Sequence, residues 1–589
     1  MKRRDFLKYS LAAGGAAGLS GIAPPAAAAE GAEAKDFSLD DLPRQGPKPV
    51  ASGERAVCSS SHPRVTETML QVMRDGGSAV DAGVAGSLIQ AVVEPHMTNH
   101  SGSVSFLYWE KKTGKAYQCN SCGMLVPGMP PFRPMQGGNG RSGPSAVIPG
   151  FMPGMKAIHE RFGSKPWDYL CWPAIEAAEE GHVVHSFEYG YLEEEIAFHT
   201  YFPSGRELFT PDGFTPAVGE RWRNPALAES LRNCAKEGPD YFISGDWAKQ
   251  FVEKANSLGW DIKLEQMKTF PARWQEPLRY PHREHELLQL SPPGAMGVIS
   301  ALFLGILRNL DVRSLGHYTT SAESLYLVAH ALRKVFRETD YLHDPEIFGV
   351  PVEEWLSPDY HAYLARVLKK SMPKIDLTKH VELTSGKPAM AAAGLPTTAP
   401  DENPPSRGSC ELSIVDPQGN WVEMMHTLQG GGIPGMVVGG VPMYGSSAST
   451  TNMTSAISGW LVGGGRLKDC TGHTMVLRGG EPWMALGTPG FPHILTLQVL
   501  ANVLEFGMDP NEASLAPRMY PLRDDYTLEI KTRIPQETVA GLAKLGIKVP
   551  GGRLYNWHMG SLQICWRDQQ TGSLRASADT RRAGKAGGF

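Results

Sequence analysis

About two-thirds of the way along the chain lies the segment Gly408-Ser409-Cys410-Glu411-Leu412-Ser413-Ile414-Val415-Asp416-Pro417-Gln418-Gly419-Asn420. The small residues at its start lead straight into a predicted β-strand from Glu411 to Val415, which is followed by a turn over 416–420 and a return strand from Trp421 to Met425. A hydroxyl at the first residue of such a strand suits a precursor that is cut just before it. The freed α-amine is less basic than a lysine and can act as general base for the neighbouring side chain. The segment therefore predicts a self-cleaving amide hydrolase with Ser409 as its nucleophile.

The same segment resembles the cleavage site of the γ-glutamyltransferase (gamma-glutamyltranspeptidase) family of N-terminal-nucleophile hydrolases, where a Thr stands in place of Ser409. Further blocks in the family's order strengthen the resemblance: Gly76 to Ala82 with Val93-Glu94-Pro95, Ala146 to Gly150, Ala174 to Gly181, Arg337 to Pro345, Gly487 to Gly490, and Ala578 to Gly584. The resemblance implies an α+β fold, namely a four-layer αββα sandwich. It also implies a large subunit of residues 30–408, with an exposed linker at about 385–408, and a small subunit of residues 409–589.

Composition agrees with a large enzyme. The 589 residues are 41% hydrophobic and 20% charged, enough for an ample core in one large domain or two. A net charge of -4 without a long basic run argues against nucleic acid as the main partner. After the leader no apolar run is long enough to span a bilayer. Neither a cofactor nor a metal is expected, and the predicted partners are a small-molecule amide and a water or amine acceptor.

The first 29 residues predict an export signal. Arg3-Arg4 precedes Phe6-Leu7-Lys8 and an apolar stretch from Leu11 to Ala23, which resembles a twin-arginine signal. The alternative is an ordinary secretory signal with a chance arginine pair. Either signal predicts a periplasmic or secreted protein.

Three further positions complete the catalytic site that the resemblance implies. Thr427, 18 residues after Ser409, stands where the family has a Thr that hydrogen-bonds the nucleophile. Gly490 and the following backbone N–H stand at the family's oxyanion hole, with Phe491 in place of its second Gly. Two alternatives stay open. Ser409 could be an ordinary strand-entry serine in an uncut chain, or Cys410 could be the nucleophile with the cut one residue later.

The residues expected to bind the substrate differ more from the family's pattern than the catalytic residues do. Its well-studied transferases hold the α-carboxylate of the substrate with an Arg and two serines, and the α-amine with an Asn and an acidic residue. In the region of the family's Arg, residues 120–124 of this chain include no Arg. Asp469-Cys470 stands at the position of the paired serines and Gln429 at the position of the Asn. Residues 430–451, where the family has its acidic residue, include none. An Asp facing a carboxylate is repelled by several kcal/mol at intermediate dielectric. A free γ-glutamyl group is therefore not the expected preferred substrate, unless Asp469 is a solvated loop residue.

Cys119 and Cys122 have a CxxC spacing, which is predicted to be a structural disulfide or buried thiols in preference to a metal or redox site. Two functional hypotheses remain. The first is an exported, self-processing enzyme that hydrolyses, or transfers from, a γ-glutamyl or related small amide through an acyl-enzyme on Ser409. The second is an uncleaved, non-catalytic relative that binds a ligand or partner in the ancestral cleft. A thiol-dependent enzyme using the CxxC pair is a third, weaker hypothesis.

Helices are also predicted. Thr320-Ser321-Ala322-Glu323 has the pattern of a capping box, and apolar residues then recur at helical spacing at Leu325, Val328, Leu332, Val335 and Phe336. Further helices are predicted over 75–93, 174–181 and 536–545.

Overall fold

The predicted hairpin is present in the computed structural model and is longer than predicted. Its strands span Ser409–Val415 and Trp421–Thr427, and each residue from Ser409 onward pairs with a residue of the return strand. Asp416 organises the turn, because its carboxylate accepts hydrogen bonds from the backbone N–H groups of Gln418 and Asn420. A third N–H, from Ala79, donates to the same carboxylate at 2.8 Å and ties the turn to the start of a helix.

The structure describes residues 42–128, 147–257, 261–270, 272–339, 342–371, 409–428, 435–443, 463–466, 471–489, 492–521, 527–528, 533–547 and 559–589. Residues 42–589 cluster as one unit. In the described residues the strands are β1 (Ala51–Gly53), β2 (Val57–Ser60), β3 (Ser103–Glu110), β4 (Lys115–Ser121), β5 (Met124–Leu125), β6 (Val147–Ile148), β7 (His182–Val183), β8 (Arg221–Trp222), β9 (Arg273–Gln275), β10 (Leu278–His282), β11 (His285–Gln289), β12 (Ser409–Val415), β13 (Trp421–Thr427), β14 (Val437–Val438), β15 (Val441–Pro442), β16 (Thr474–Arg478), β17 (Glu481–Gly487), β18 (Met519–Tyr520), β19 (Thr527–Leu528), β20 (Gln563–Arg567), β21 (Leu574–Ala578) and β22 (Lys585–Gly588).

The α-helices of the same residues are α1 (Pro63–Arg74), α2 (Ala79–Val93), α3 (Phe151–Phe162), α4 (Trp167–Glu180), α5 (Ser186–Glu194), α6 (Ile196–His199), α7 (Pro203–Phe209), α8 (Pro225–Glu237), α9 (Asp240–Ile243), α10 (Asp246–Ser257), α11 (Leu264–Lys268), α12 (Met296–Leu310), α13 (Ala322–Glu338), α14 (Val352–Leu356), α15 (Pro358–Ser371), α16 (Pro492–Leu504), α17 (Pro510–Leu515) and α18 (Gln536–Lys544). A 3-10 helix spans Val312–Leu315.

Two antiparallel sheets of seven strands form the centre of the described structure. The hairpin sheet has the strand order β22-β2-β12-β13-β3-β4-β9, and the facing sheet has the order β1-β21-β20-β17-β16-β11-β10. Helices α1 to α3 pack on the outer side of the hairpin sheet, with α4 packed against α2, and α12 and α16 pack on the outer side of the facing sheet. An apolar cluster from both sheets, including Val415, Trp421, Met475 and Ala485, fills the space between them. This arrangement confirms the predicted four-layer αββα sandwich.

The glycine-rich block near residue 76 builds the start of α2. Ser78 caps the helix by accepting from the N–H of Asp81, and the Asp81 side chain accepts from the N–H of Ser78 in return, which is a capping box. Gly76 has a φ of +83°, a value that favours glycine. The helix therefore begins at Ala79, four residues later than predicted.

The predicted N-terminus of α13 was wrong by one residue. Ser321, not Thr320, caps the helix by accepting from the N–H of Ser324, so Glu323 is one position too early to complete a capping box. The apolar stripe is confirmed, since Leu325, Val328, Leu332 and Val335 are buried. Residues 174–181 form the end of the longer helix α4, and the helix predicted over 536–545 is α18. The predicted linker at 385–408 lies outside the described residues.

Candidate active site

Ser409 and Thr427 meet where the hairpin opens. Ser409 is the first residue of β12 and pairs in register with Thr427, the last residue of β13. The Ser409 hydroxyl donates a hydrogen bond of 2.7 Å to Oγ1 of Thr427. Ser409 is half-buried and Thr427 is only 3% exposed, so an external molecule can reach the serine while the threonine is held in the sheet. The structure therefore brings together two of the predicted site residues.

Arg582 holds the backbone of Ser409. Its Nη1 donates to the carbonyl oxygen of Ser409 at 2.7 Å, and the side chain is 1% exposed. The neighbouring Asp579 and Arg581 form a buried ion pair at 2.8 Å that fixes this part of the C-terminal segment. The sequence singled out the block Ala578 to Gly584, which was the only available signal, but gave no role to Arg582.

Cys410 points to the other face of the sheet, as alternation along a strand requires. Its thiol is buried and donates to Oε2 of Glu94 at 3.4 Å. The same carboxylate accepts from Ser61 at 2.8 Å and from Gln90. Burial, and then the charge of Glu94, raise the pKa of the Cys410 thiol well above its ordinary value. The thiolate is the reactive form of cysteine, so the structure disfavours Cys410 as an alternative nucleophile.

The CxxC cysteines are also poor candidates for thiol chemistry. Cys119 and Cys122 are both buried, and the described cysteines form no disulfide. Burial raises the pKa of Cys119 to about 12. This outcome matches the predicted buried thiols. It argues against a thiol-dependent enzyme, because a buried thiol with a raised pKa is not the reactive thiolate.

Comparison with known proteins settles the family. A model of the family described as gamma-glutamyltranspeptidase matches residues 65–589. The chain belongs to the gamma-glutamyltranspeptidase family. The glutathione hydrolase proenzyme of Pseudomonas aeruginosa is 26% identical over 545 residues, which cover 87% of this chain and 91% of that protein. The acylase ACY 1 proenzyme of Pseudomonas sp. (strain SE83) is also 26% identical, over 87% of this chain and 89% of its own length.

Solved structures agree with the sandwich. A cephalosporin acylase from Bacillus halodurans superposes with a TM-score of 0.76 at 21% identity, over 94% of this chain and 99% of its own. A likeness at this identity shows the fold alone. Gamma-glutamyltranspeptidase relatives are enzymes, and this chain is an acyltransferase or amidohydrolase of that family.

The export prediction is confirmed. A twin-arginine translocation signal matches residues 1–20, which supports a periplasmic or secreted enzyme. Among the described helices, none combines the length and apolar character that crossing a membrane would require.

The other predicted site residues of this gamma-glutamyltranspeptidase relative stay predictions. Gly490, Phe491, Gln429, Asp469 and Cys470 lie outside the described residues. The segment that leads to Gly490 is held firmly, since Oγ1 of the buried Thr488 accepts from the N–H of Ser561 at 2.9 Å.

An arginine that the sequence did not predict lies beside residues 120–124. Arg466 bridges to Met124, and its Nη1 donates to the carbonyl oxygens of Asn120 and Cys122 at 3.2 and 3.4 Å. The guanidinium packs 4.7 Å from the ring centre of Phe270, and within the described part of the chain its Nη2 has no hydrogen-bond partner. The segment without an arginine of its own therefore receives one from a distant part of the chain.

Two groups of buried polar residues lie close to the nucleophile strand. On the helix side, Nε2 of His182 and Oε1 of Glu188 are 2.8 Å apart, and burial is the first cause that lowers the pKa of His96 and His185. Between the sheets, Glu411, Glu423 and His473 form a second group. Burial, and then the charge of Glu411, raise the pKa of Glu423 well above its ordinary value. Sequence alternation could have placed both glutamates on one face, but not His473 opposite them.

Proposed function

We propose that this chain is exported as a precursor, cleaves itself between Gly408 and Ser409, and then hydrolyses or transfers from a small amide through an acyl-enzyme on Ser409. The hydrogen bond from Ser409 to Thr427 is the observation that carries the proposal. It orients a half-buried hydroxyl at the first residue of a strand in the sandwich where the family's nucleophile stands. The proenzyme relatives support the two-subunit product.

In the processing step Oγ of Ser409 attacks the carbonyl carbon of Gly408. The C–N bond of the peptide breaks, the hydroxyl proton goes to the departing nitrogen, and an ester to Oγ replaces the amide. Water then hydrolyses the ester, which frees the Gly408 carboxylate, the Ser409 hydroxyl and the Ser409 α-amine. Gly408 leaves the attacked carbonyl uncrowded because it has no side chain.

In turnover the free α-amine accepts the hydroxyl proton of Ser409 while Oγ attacks the amide carbon of the substrate. The α-ammonium then donates that proton to the leaving nitrogen, and the acyl group stays on Oγ until water or an amine accepts it. Thr427 orients Oγ, and Arg582 is a positioning residue that fixes the Ser409 carbonyl. The N–H groups at Gly490 and Phe491 are proposed to stabilise the oxyanion.

For the substrate we propose an amide whose acyl group ends in a carboxylate. Strands β13 and β3 separate β12 from β4, and the register puts Ser121 at the same end of the hairpin sheet as Ser409. Arg466 bonds to that end of β4; its guanidinium is buried, and Nη2 has no hydrogen-bond partner among the described residues, so we propose that Nη2 donates to a substrate carboxylate that enters beside β4. Residues 430–451 include no acidic residue that could bind an α-amine. A glutaryl amide therefore suits the site better than a γ-glutamyl amide. Gln429, Asp469 and Cys470 remain proposed substrate-binding residues, but a carboxylate-ending substrate requires the alternative raised above for Asp469, namely that its side chain does not face the carboxylate.

The test compares the anilides of glutaryl, γ-glutamyl and butyryl groups with the processed enzyme. We expect the highest kcat/KM for the glutaryl anilide and a loss of about 10-fold or more for it in Arg466→Gln, the size of one charge-assisted hydrogen bond. The butyryl anilide is the internal control, since its hydrolysis needs no cation. Equal rates for the glutaryl and butyryl anilides, or equal losses in Arg466→Gln, would refute the assignment of Arg466. No turnover of any anilide by processed enzyme would refute the broader proposal.

A further inference from the structure

Three ionisable side chains meet between the two sheets, away from the surface. Glu411 is on β12, Glu423 is on β13, and His473 immediately precedes β16 of the facing sheet. All three are 0% exposed. One ligand atom from each side chain lies within 4.8 Å of the other two, and Nδ1 of His473 is 2.8 Å from Oε1 of Glu411. The group thus joins the nucleophile strand to the opposite sheet.

The two carboxylates lack the partners that burial demands. Among the described residues, Oε2 of Glu411 and Oε2 of Glu423 are buried and accept no hydrogen bond from a nitrogen or hydroxyl donor, and the two carboxyl groups are close enough to hydrogen-bond each other. Among the described residues, no lysine or arginine forms an ion pair with either glutamate, while Nδ1 of His473 lies 2.8 Å from Oε1 of Glu411. Two adjacent carboxylates in a buried position are strongly unfavourable unless a proton or a cation neutralises them. The oxygens without hydrogen bonds mark where that positive charge belongs.

The ring of His473 is oriented as a metal ligand would be. Nε2 lies 3.1 Å from the carbonyl oxygen of Ser105 and 2.7 Å from its Oγ. The carbonyl can only accept, and Oγ uses its own proton to donate to Thr471 at 2.7 Å. Nε2 therefore carries the proton, and Nδ1 is the nitrogen that faces the glutamates. An imidazole whose second nitrogen donates to a backbone carbonyl is the usual support of a metal-bound histidine.

Neighbouring residues also hold the two glutamates in place. Ser413 donates to Oε1 of Glu423, which leaves Oε2 for another partner. A Cβ at Gly487 would lie 2.3 Å from Cδ of Glu411 and 2.5 and 2.6 Å from its oxygens. The Glu411 carboxylate thus occupies room that any side chain at position 487 would fill. The polar group is built into the packing of both sheets.

We propose that Glu411, Glu423 and His473 bind one divalent transition-metal ion, with Zn²⁺ as the preferred ion. Two carboxylate oxygens and one imidazole nitrogen are ligands that zinc accepts, and the charge of the ion balances the two carboxylates. These residues supply three ligands, so a fourth ligand such as a water completes the four-coordinate shell that zinc prefers. The site takes no part in the acyl transfer. It cross-links β12 to the facing sheet two residues from Ser409, and it does not depend on Ser409 being the nucleophile.

The experiment measures the metal content of the exported, full-length protein by elemental mass spectrometry. The protein is purified without a polyhistidine tag, loaded with excess ZnCl₂ and freed of loose metal by gel filtration. We expect about one zinc per chain, since a buried site of this kind fills completely. Glu423→Gln and His473→Gln should each weaken zinc binding at least about 100-fold. Glu188→Gln is the matched control, because it alters a buried glutamate that also contacts a histidine but has no three-ligand set.

The wild-type measurement decides the proposal even where a variant fails to fold. Full zinc occupancy with a melting temperature that falls on chelation and recovers on adding ZnCl₂ would support the site. Less than about one-tenth of an equivalent after loading would overturn it in favour of a proton shared by the two carboxyl groups. Undiminished zinc in a folded Glu423→Gln variant, or an equal loss in Glu188→Gln, would also overturn it.

Discussion

For Ser409 to act as the proposed nucleophile, its hydroxyl must be held in one orientation. Serine lacks the methyl group of threonine, so its χ1 is less restricted and its oxygen is less well aimed. The hydrogen bond to Thr427 and the anchoring of the Ser409 carbonyl by Arg582 supply that restriction from outside the residue. We therefore propose that these two contacts allow a serine to serve as nucleophile at the position where the family has a threonine.

Removing the Thr427 hydroxyl should slow both self-cleavage and turnover. Thr427→Val keeps the shape of this buried side chain but takes away the acceptor of the Ser409 hydrogen bond. A net hydrogen bond of about 1 kcal/mol corresponds to a rate loss of roughly 5-fold to 10-fold. The time course of processing and kcat on an amide measure the effect. Thr427→Ser, which retains a hydroxyl, is the control, and wild-type rates in Thr427→Val would show that the bond has no catalytic role.

At this scale the sequence predicts contacts within the hairpin better than contacts across the chain. Ser409 and Thr427 are equidistant from the turn, so their pairing follows from strand register alone. Arg582 is 173 residues from Ser409 and Arg466 is 346 from Asn120, so only the tertiary fold brings them together. The buried glutamates Glu411 and Glu423 break the apolar pattern expected of an inner face, and such breaks often mark a site.

Asp416 connects the turn of the hairpin to the start of helix α2 through hydrogen bonds to both. Its carboxylate accepts from the N–H groups of Gln418 and Asn420 in the turn and from Ala79 at the start of the helix. The sequence predicted the turn from its Asp, Pro, Gly and Asn residues. It could not predict the helix contact, which spans 337 residues.

Asp416→Ala should loosen this element. Three backbone donors would lose a buried acceptor, and we expect the free energy of unfolding to fall by about 2 to 4 kcal/mol. Denaturation in urea and hydrogen exchange of residues 411–425 would report the loss. Asp416→Asn retains an acceptor oxygen and should lose less. A change below about 0.5 kcal/mol in Asp416→Ala, the range of ordinary surface substitutions, would contradict this role.

Strand β22, near the C-terminus, and the buried ion pairs beside it connect the two ends of the described chain. Strand β22 pairs with β2, which joins Val57 to Gly588 across almost the full described chain. Close by, Asp579 is fully buried between Arg518 and Arg581, each at 2.8 Å. The layered architecture could be predicted from the family resemblance. The strand partners could not, because periodicity identifies strands but not the neighbours of each strand.

Asp579 should make stability depend on pH in the acid range. Its pKa is held well below the ordinary value by Arg518 and Arg581, which outweigh the opposing effect of burial. A carboxyl group with a depressed folded pKa stabilises the protein fully above its unfolded pKa of about 4 and loses that contribution as pH falls.

Asp579→Asn should therefore reduce stability by about 3 to 5 kcal/mol at pH 7, because it leaves two buried arginines without their partner. The difference in melting temperature from the wild type should begin to shrink as the pH falls through the unfolded pKa of about 4, and should go on shrinking towards the depressed folded pKa. Asp246→Asn, at an exposed ion pair, is the control and should change little. A difference that stays constant with pH would contradict the assignment.

Self-cleavage at Ser409 is the claim on which the enzyme's function depends, and intact mass with N-terminal sequencing of the exported protein tests it most directly. The prediction is two fragments, the smaller starting at Ser409 with the mass of residues 409–589, and a single uncut chain in Ser409→Ala. A wild-type protein that remains one chain would contradict the account and favour a non-catalytic relative. Cleavage that persists in Ser409→Ala would move the nucleophile to another residue.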